Sequence, residues 1–123
     1  MEEELLVRRY FEAWLRRDGD CLEELFDPDV VYSECYGPEY HGIGQLKQWF
    51  KDWNRHGEVV AWRIRRFFMQ GKQAAVEWYF ECVCDGVPSS FDGVSLIVFN
   101  QEGAILEIRE FESRHEHTFP YGR

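Results

Sequence analysis

The hydrophobic periodicity of this chain changes once, near Gly57, and does not change back. Before that point apolar residues recur every three to four positions; after it they alternate. In residues 3–17, Leu6, Tyr10 and Trp14 form one helical row and Val7, Phe11 and Leu15 the next, with Arg9, Glu12 and Arg16 outside the stripe. Residues 43–55 repeat the pattern with Leu46, Trp49, Phe50 and Trp53. Asp20 and Glu23 have capping-box spacing, which predicts a short helix over 20–26. Asp18-Gly19 stops the first helix. Asp27-Pro28 stops the second, because proline disfavours a helical residue before it. Gly57 stands where a left-handed helix stop is wanted.

Beyond Gly57, residues 58–69, 73–84, 90–100 and 104–113 read as four long strands. Gly71-Lys72, Asp85-Gly86 and Glu102-Gly103 separate them as hairpin turns. Residues 29–36 add an earlier strand. Helices followed by an antiparallel meander is the ordering of an α+β fold. Strands this long form a strongly curved antiparallel sheet. N-terminal helices packed on its concave face enclose a cone-shaped space, the candidate pocket. The 123 residues predict a single domain spanning 1–123, with 114–123 as an irregular tail.

Charge narrows the partners. The net charge is −9, and Arg8-Arg9, Arg16-Arg17 and residues 63–66 are balanced by acids or interrupted by apolar residues. Nucleic acid and anionic membrane are therefore not expected partners. No signal-peptide pattern and no apolar run of membrane-spanning length is present, so a cytoplasmic location with four reduced cysteines is expected. Cys82-x-Cys84 with Cys35, and His115-x-His117, are weak metal patterns without a full ligand set. Neither metal nor cofactor is expected. The tail bearing His115 and His117 is expected to fold over the pocket mouth or across a dimer interface.

One residue stands out on the first strand. Alternation puts Tyr32, Glu34 and Tyr36 on one face. If that face is outward, Glu34 is a solvated strand residue. If it is inward, a carboxylate occupies an apolar space that raises its pKa towards neutrality, as suits a general acid or base. The rings of Trp49, Trp62, Trp78 and Phe80, with Cys82 and Ile97, are either core or pocket wall. Seventeen per cent of residues are aromatic, more than a core of this size needs, which favours walls.

The runs "VRRYFEAWLRRDGDCLEELFDPDVVYSE", "GPEYHGIGQLKQWF", "AVEWYFECVCDG" and "FNQEGAILEIREF" resemble the nuclear transport factor 2-like superfamily. Within it they resemble the SnoaL-like and ketosteroid isomerase-like branch. The resemblance implies a cystatin-like α+β barrel and a homodimer paired through the outer sheet face, where Glu77, Tyr79, Glu81 and Val83 lie. It implies an inward Glu34 as proton shuttle and Tyr10 as a donor to a developing enolate. Ser95 falls where those enzymes carry a protonated aspartic acid, and Glu110 where they tend to be small and apolar. The register so implied points Ile108 and Glu110 inward.

Three functions follow. The first is a cofactor-independent acid–base enzyme of isomerase, dehydratase or cyclase type on a small, partly apolar molecule. Its catalytic candidates are Glu34, Tyr10 and Glu110. Its substrate-binding candidates are Trp14, Tyr32, Trp49, Trp62, Trp78, Phe80, Cys82, Ser95, Ile97 and Ile108. The second is a ligand-binding module without turnover. The third is a dimerisation domain with a vestigial cavity. Tyr10 reads equally as a core residue with a satisfied hydroxyl, and Glu110 as a salt-bridge partner.

Overall fold

The computed structural model describes residues 2–123. The expected single-domain span of 1–123 thus includes Met1, which lies outside the described residues. Helix α1 spans Glu2–Arg16, α2 Leu22–Leu25 and α3 Gly42–His56. Strands run β1 Phe26–Ser33, β2 Glu39–His41, β3 Gly57–Gln70, β4 Gln73–Cys84, β5 Val87–Phe99 and β6 Ile105–Ser113. They form one curved, unclosed sheet in the order β2-β1-β6-β5-β4-β3. The architecture is α+β, as the periodicity switch predicts.

Helix α1 buries Val7, Tyr10, Phe11, Ala13 and Trp14, one stripe at helical spacing. Its Phe11 ring stacks on Trp62 of β3 at 3.7 Å between centroids. Helix α3 buries Leu46 and Phe50, and Trp14 joins the two helices through rings at 4.4 Å to Phe50 and 5.0 Å to Trp49. β-Bulges between Val59 and Ala61 and between Ile64 and Arg66 bend β3. The first one leaves the consecutive residues Ala61 and Trp62 both buried.

Several local expectations are corrected. The sheet is antiparallel except for β1 beside β6, which run parallel. Alternation reports which face a side chain takes, not the direction of the neighbouring strand. Strand β1 starts at Phe26 and stops at Ser33, short of Glu34. The chain then turns, with Glu34 N–H donating to the Pro38 carbonyl at 2.9 Å, into β2. Asp20 and Glu23 form no capping box; Cys21 precedes α2 and makes no side-chain cap. Gly57 is extended (φ −139°) rather than left-handed. A glycine suits it because a Cβ there would meet the Trp53 ring at 2.9 Å.

Candidate functional site

Two carboxyl groups reach one aromatic cavity. The cavity offers about 40 Å³ to the centre of a water molecule and opens to solvent on one side. Each ordered water needs on the order of 10–15 Å³ of such room, so the space holds a few waters or a compact organic molecule. Helices α1 and α3 contribute Trp14, Trp49 and Trp53. The floor of the sheet contributes Val59, Trp62, Trp78, Phe80 and Phe91. Tyr32, Glu34, Cys35 and Tyr36 come from β1 and the turn after it, and Glu110 from β6. Among the described residues, no Lys, Arg or His side chain lines this cavity.

Gly93 makes room for the Trp78 ring in the wall of the cavity. Trp78 pairs with it across β4 and β5. A Cβ at Gly93 would stand 2.3 Å from the Trp78 ring and 2.5 Å from the Phe111 carbonyl oxygen. The missing side chain leaves space for the indole over Gly93, and its Nε1–H donates to Ser95 Oγ at 2.9 Å.

Glu110 is the deeper carboxyl. The Tyr32 hydroxyl donates to its Oε2 at 2.5 Å, and the Tyr10 hydroxyl donates to Tyr32 at 2.6 Å. Burial pushes the Glu110 pKa up to about 8; the Tyr32 hydrogen bond opposes the rise and the nearby Glu34 charge adds to it. The same burial, with Glu110 close by, drives both tyrosines well above their ordinary values, so they remain neutral donors. The Trp14 indole lies close enough to the Tyr10 hydroxyl to favour its phenolate weakly, but its N–H is not aligned on an acceptor. Glu34 sits nearer the mouth. Burial raises its pKa too, while the Tyr40 hydroxyl, donating at 2.7 Å, holds the rise down. The Cys35 thiol is pushed up to about 12, first by burial and then by Glu110, Glu112 and Glu34, so it stays a thiol.

The structure therefore brings Glu34, Glu110, Trp14, Tyr32, Trp49, Trp62, Trp78 and Phe80 to one cavity. Five candidates stand off its surface. Tyr10 lies behind Tyr32 and bonds to it, not to Glu34. Ser95 is spent on Trp78. Ile97 and Ile108 pair with each other one step deeper than the Ser95–Glu110 pair, in packed core. Cys82 is buried opposite Val59, and Val59 takes the wall position. The tail does not cover the mouth: His115 lies against Asp92 at 3.3 Å and near the Tyr79 ring, and no residue of 114–123 lines the cavity. Sequence reasoning missed Tyr40, Trp53, Val59, Cys35 and Phe91. Tyr40 carried a legible signal, since it follows the Gly37-Pro38 turn at a distance that sets it opposite Tyr32. Among the described residues, no group of three or more His, Cys, Asp or Glu is placed to hold a metal ion.

Comparison with solved structures finds the same fold in proteins of low identity. An LEH-like epoxide hydrolase from M. tuberculosis superposes with a TM-score of 0.81 at 15% identity, over 91% of this chain and 83% of that one. A hypothetical protein with a ketosteroid isomerase-like fold from Catenulispora acidiphila, in complex with trimethylamine, gives 0.78 at 20% identity, over 88% and 85%. An NTF2-like protein of unknown function from Burkholderia pseudomallei gives 0.77 at 17% identity, over 92% of each chain. No curated protein matches at a significant level. The model of the SnoaL-like domain matches residues 7–108, the span from the first helix to the strand that carries the deeper carboxyl, and the chain belongs to the SnoaL-like domain family.

Proposed function

We propose that this chain is a cofactor-independent acid–base enzyme acting on a small, partly apolar molecule by isomerisation, dehydration or cyclisation. One observation carries the reading: two carboxyl groups in one apolar cavity have unequal environments. Glu110 is deep and holds its proton to about pH 8. Glu34 is nearer solvent, and although burial raises its pKa as well, the Tyr40 hydroxyl bond opposes that rise. Pairs whose surroundings push their pKa values apart divide naturally into a base and an acid.

In the isomerase form, the Glu34 carboxylate removes a proton from the carbon that lies between a carbonyl and a C=C bond. The C–H electron pair moves into the C–C bond and the carbonyl pair onto oxygen. The Glu110 carboxyl donates a hydrogen bond to that oxygen; Glu34 then returns the proton to the far carbon of the C=C bond, as the oxygen pair re-forms the carbonyl and the double bond shifts into conjugation with it. Tyr10 acts through Tyr32 as a positioning residue. A ligand-binding module without turnover is the second reading, favoured by the neighbour in complex with trimethylamine, which shows that a relative of this fold takes a compact ligand.

The test is α-proton exchange in D2O, followed by NMR, over a panel of small cyclic ketones and enones. Wild-type protein should accelerate exchange on at least one of them. Glu34→Gln should lose about 10²–10⁴-fold of it while keeping its thermal stability. No acceleration on any ketone, or an unchanged rate in Glu34→Gln, would overturn the acid–base reading in favour of binding alone.

A further inference from the structure

All five tryptophans of the chain line one cavity: Trp14, Trp49, Trp53, Trp62 and Trp78. Three come from the helices and two from the sheet, so the gathering crosses the fold instead of following one element. Their planes are steeply inclined, Trp14 at 60° to Trp49 and 89° to Trp53, and Trp62 at 90° to Trp78. Rings set at such angles around a space form a box, not a stack. Tryptophan is the best aromatic partner for a cation. Among the described residues, the arginines that lie over rings lie over Tyr79, Phe68, Phe111 and Phe119, none of them in this cavity.

The same space holds two carboxyl groups and no compensating charge. Among the described residues, no lysine, arginine or histidine lines it, and neither Glu34 nor Glu110 belongs to an ion pair. Each carboxyl accepts one tyrosine hydroxyl, Glu34 through Oε1 and Glu110 through Oε2. The other oxygens, Glu34 Oε2 and Glu110 Oε1, have no partner among the described residues and are not sealed from solvent. Both therefore stay open to a ligand. Burial raises the pKa of both groups, and the Glu34 charge adds to the rise at Glu110. A positive charge placed beside them acts in the opposite sense.

We infer that the cavity binds a compact alkylammonium cation, its methyl or methylene groups against the tryptophan rings and its charge balanced by the Glu34 carboxylate. The inference rests on the proposed acid–base reading for any reaction, whose substrate class it names, and on the cavity alone for the ligand. A hydrated metal ion suits the site less well, since it demands more oxygen ligands than two carboxyl groups supply. An anion meets both carboxyl groups and a chain of net charge −9. An uncharged apolar ligand leaves the carboxylate without a partner. A cation beside Glu34 also favours its ionised form, the one that removes a proton.

We would titrate the protein with tetramethylammonium chloride, tert-butanol and sodium pivalate at constant ionic strength, reading tryptophan fluorescence and calorimetric heats. tert-Butanol is close to the cation in size and shape but carries no charge. Tetramethylammonium should bind saturably and about tenfold more tightly than tert-butanol, and pivalate should not bind. Glu34→Gln should weaken the cation about tenfold and leave tert-butanol unaltered. Biosynthetic replacement of tryptophan by fluorotryptophan, which draws charge from the ring face, should weaken the cation and spare the alcohol. tert-Butanol binding as tightly as tetramethylammonium overturns the inference. So does a cation affinity indifferent to Glu34→Gln, or no binding of the cation at all. The two proposals fail separately. Proton exchange that needs Glu34, in a protein without a preference for the cation, removes this inference alone. A preference for the cation without any exchange removes the acid–base reading alone.

Discussion

The hydroxyl of Tyr32 donates to a carboxyl oxygen of Glu110 across 2.5 Å, tying β1 to β6 at the wall of the cavity. It also accepts from Tyr10, so it stands in the middle of a three-member chain. Removing the middle member should cost more than removing the end. Tyr32→Phe strands both the Tyr10 donor and a Glu110 oxygen in a buried site and should destabilise by about 1–3 kcal/mol. Tyr10→Phe removes one donor while Tyr32 still bonds Glu110, and should cost only about 0.5–1.5 kcal/mol. Urea denaturation orders the pair; equal losses would show that Tyr32 does not link the two.

Glu110 should also shape the pH dependence of stability. The folded chain keeps its proton up to about pH 8, whereas the unfolded chain releases it near 4.5. Between those values the native state binds more protons, so Glu110 favours folding fully below about pH 4.5. That contribution is lost as pH rises through 8. The loss approaches about 1.4 kcal/mol per pH unit inside the window. Glu110→Gln should therefore flatten the decline between pH 5 and 8 relative to wild type. Parallel stability curves for the two proteins would contradict the buried, protonated state.

Tyr40 is the group that restrains the Glu34 pKa. Without its hydroxyl, burial acts unopposed. Tyr40→Phe should shift the acidic limb of any pH–rate profile for proton exchange to higher pH, with the plateau rate less affected. An unmoved limb would detach Tyr40 from the base.

Gly93 has no room for a side chain. Gly93→Ala should force Trp78 off Ser95 and destabilise by about 1–3 kcal/mol. Tryptophan fluorescence should change along with the urea midpoint. A silent substitution would mean that the floor of the cavity is softer than the 2.3 Å approach implies.

We propose a homodimer paired through the outer sheet face, where Glu77, Tyr79, Glu81 and Val83 lie. That face exposes Leu96 and Phe111, with the Arg109 guanidinium 5.1 Å from the Phe111 ring centroid. Light scattering at micromolar concentration should give twice the chain mass, and Leu96→Asp should halve it. A monomeric wild type rejects the pairing.

The elements were legible because period is a property of the chain itself. Gln73–Cys84 falls at its predicted bounds, and α1 and α3 within a residue or two of theirs. Depth was not legible. Alternation places Ser95, Ile97, Ile108 and Glu110 on the inner face alike, but the register of β5 on β6 decides which of them reach open space. Hydrogen-bond partnership was not legible either. The strand β2 is three residues long, too short for a periodic signal, yet it brings the Tyr40 hydroxyl to Glu34 and leaves Tyr10 free for Tyr32.

The parallel ladder between β1 and β6 joins segments from opposite ends of the chain, pairing Val31 with Glu107 and Tyr32 with Ile108. The β3–β4 and β4–β5 hairpins close over tight turns and can form locally. The junction of β1 with β6 must wait until most of the sequence is available, because a long loop has to be closed before any contact rewards it. Glu34 and Glu110 lie just past that junction, on its two sides. The carboxyl pair is thus an end-product of folding order: a chain still emerging from synthesis, or one cut before β6, has helices and hairpins but no paired acids. Pulse-labelled hydrogen exchange during refolding should show amides of β1 and β6 gaining protection after those of β3 and β4.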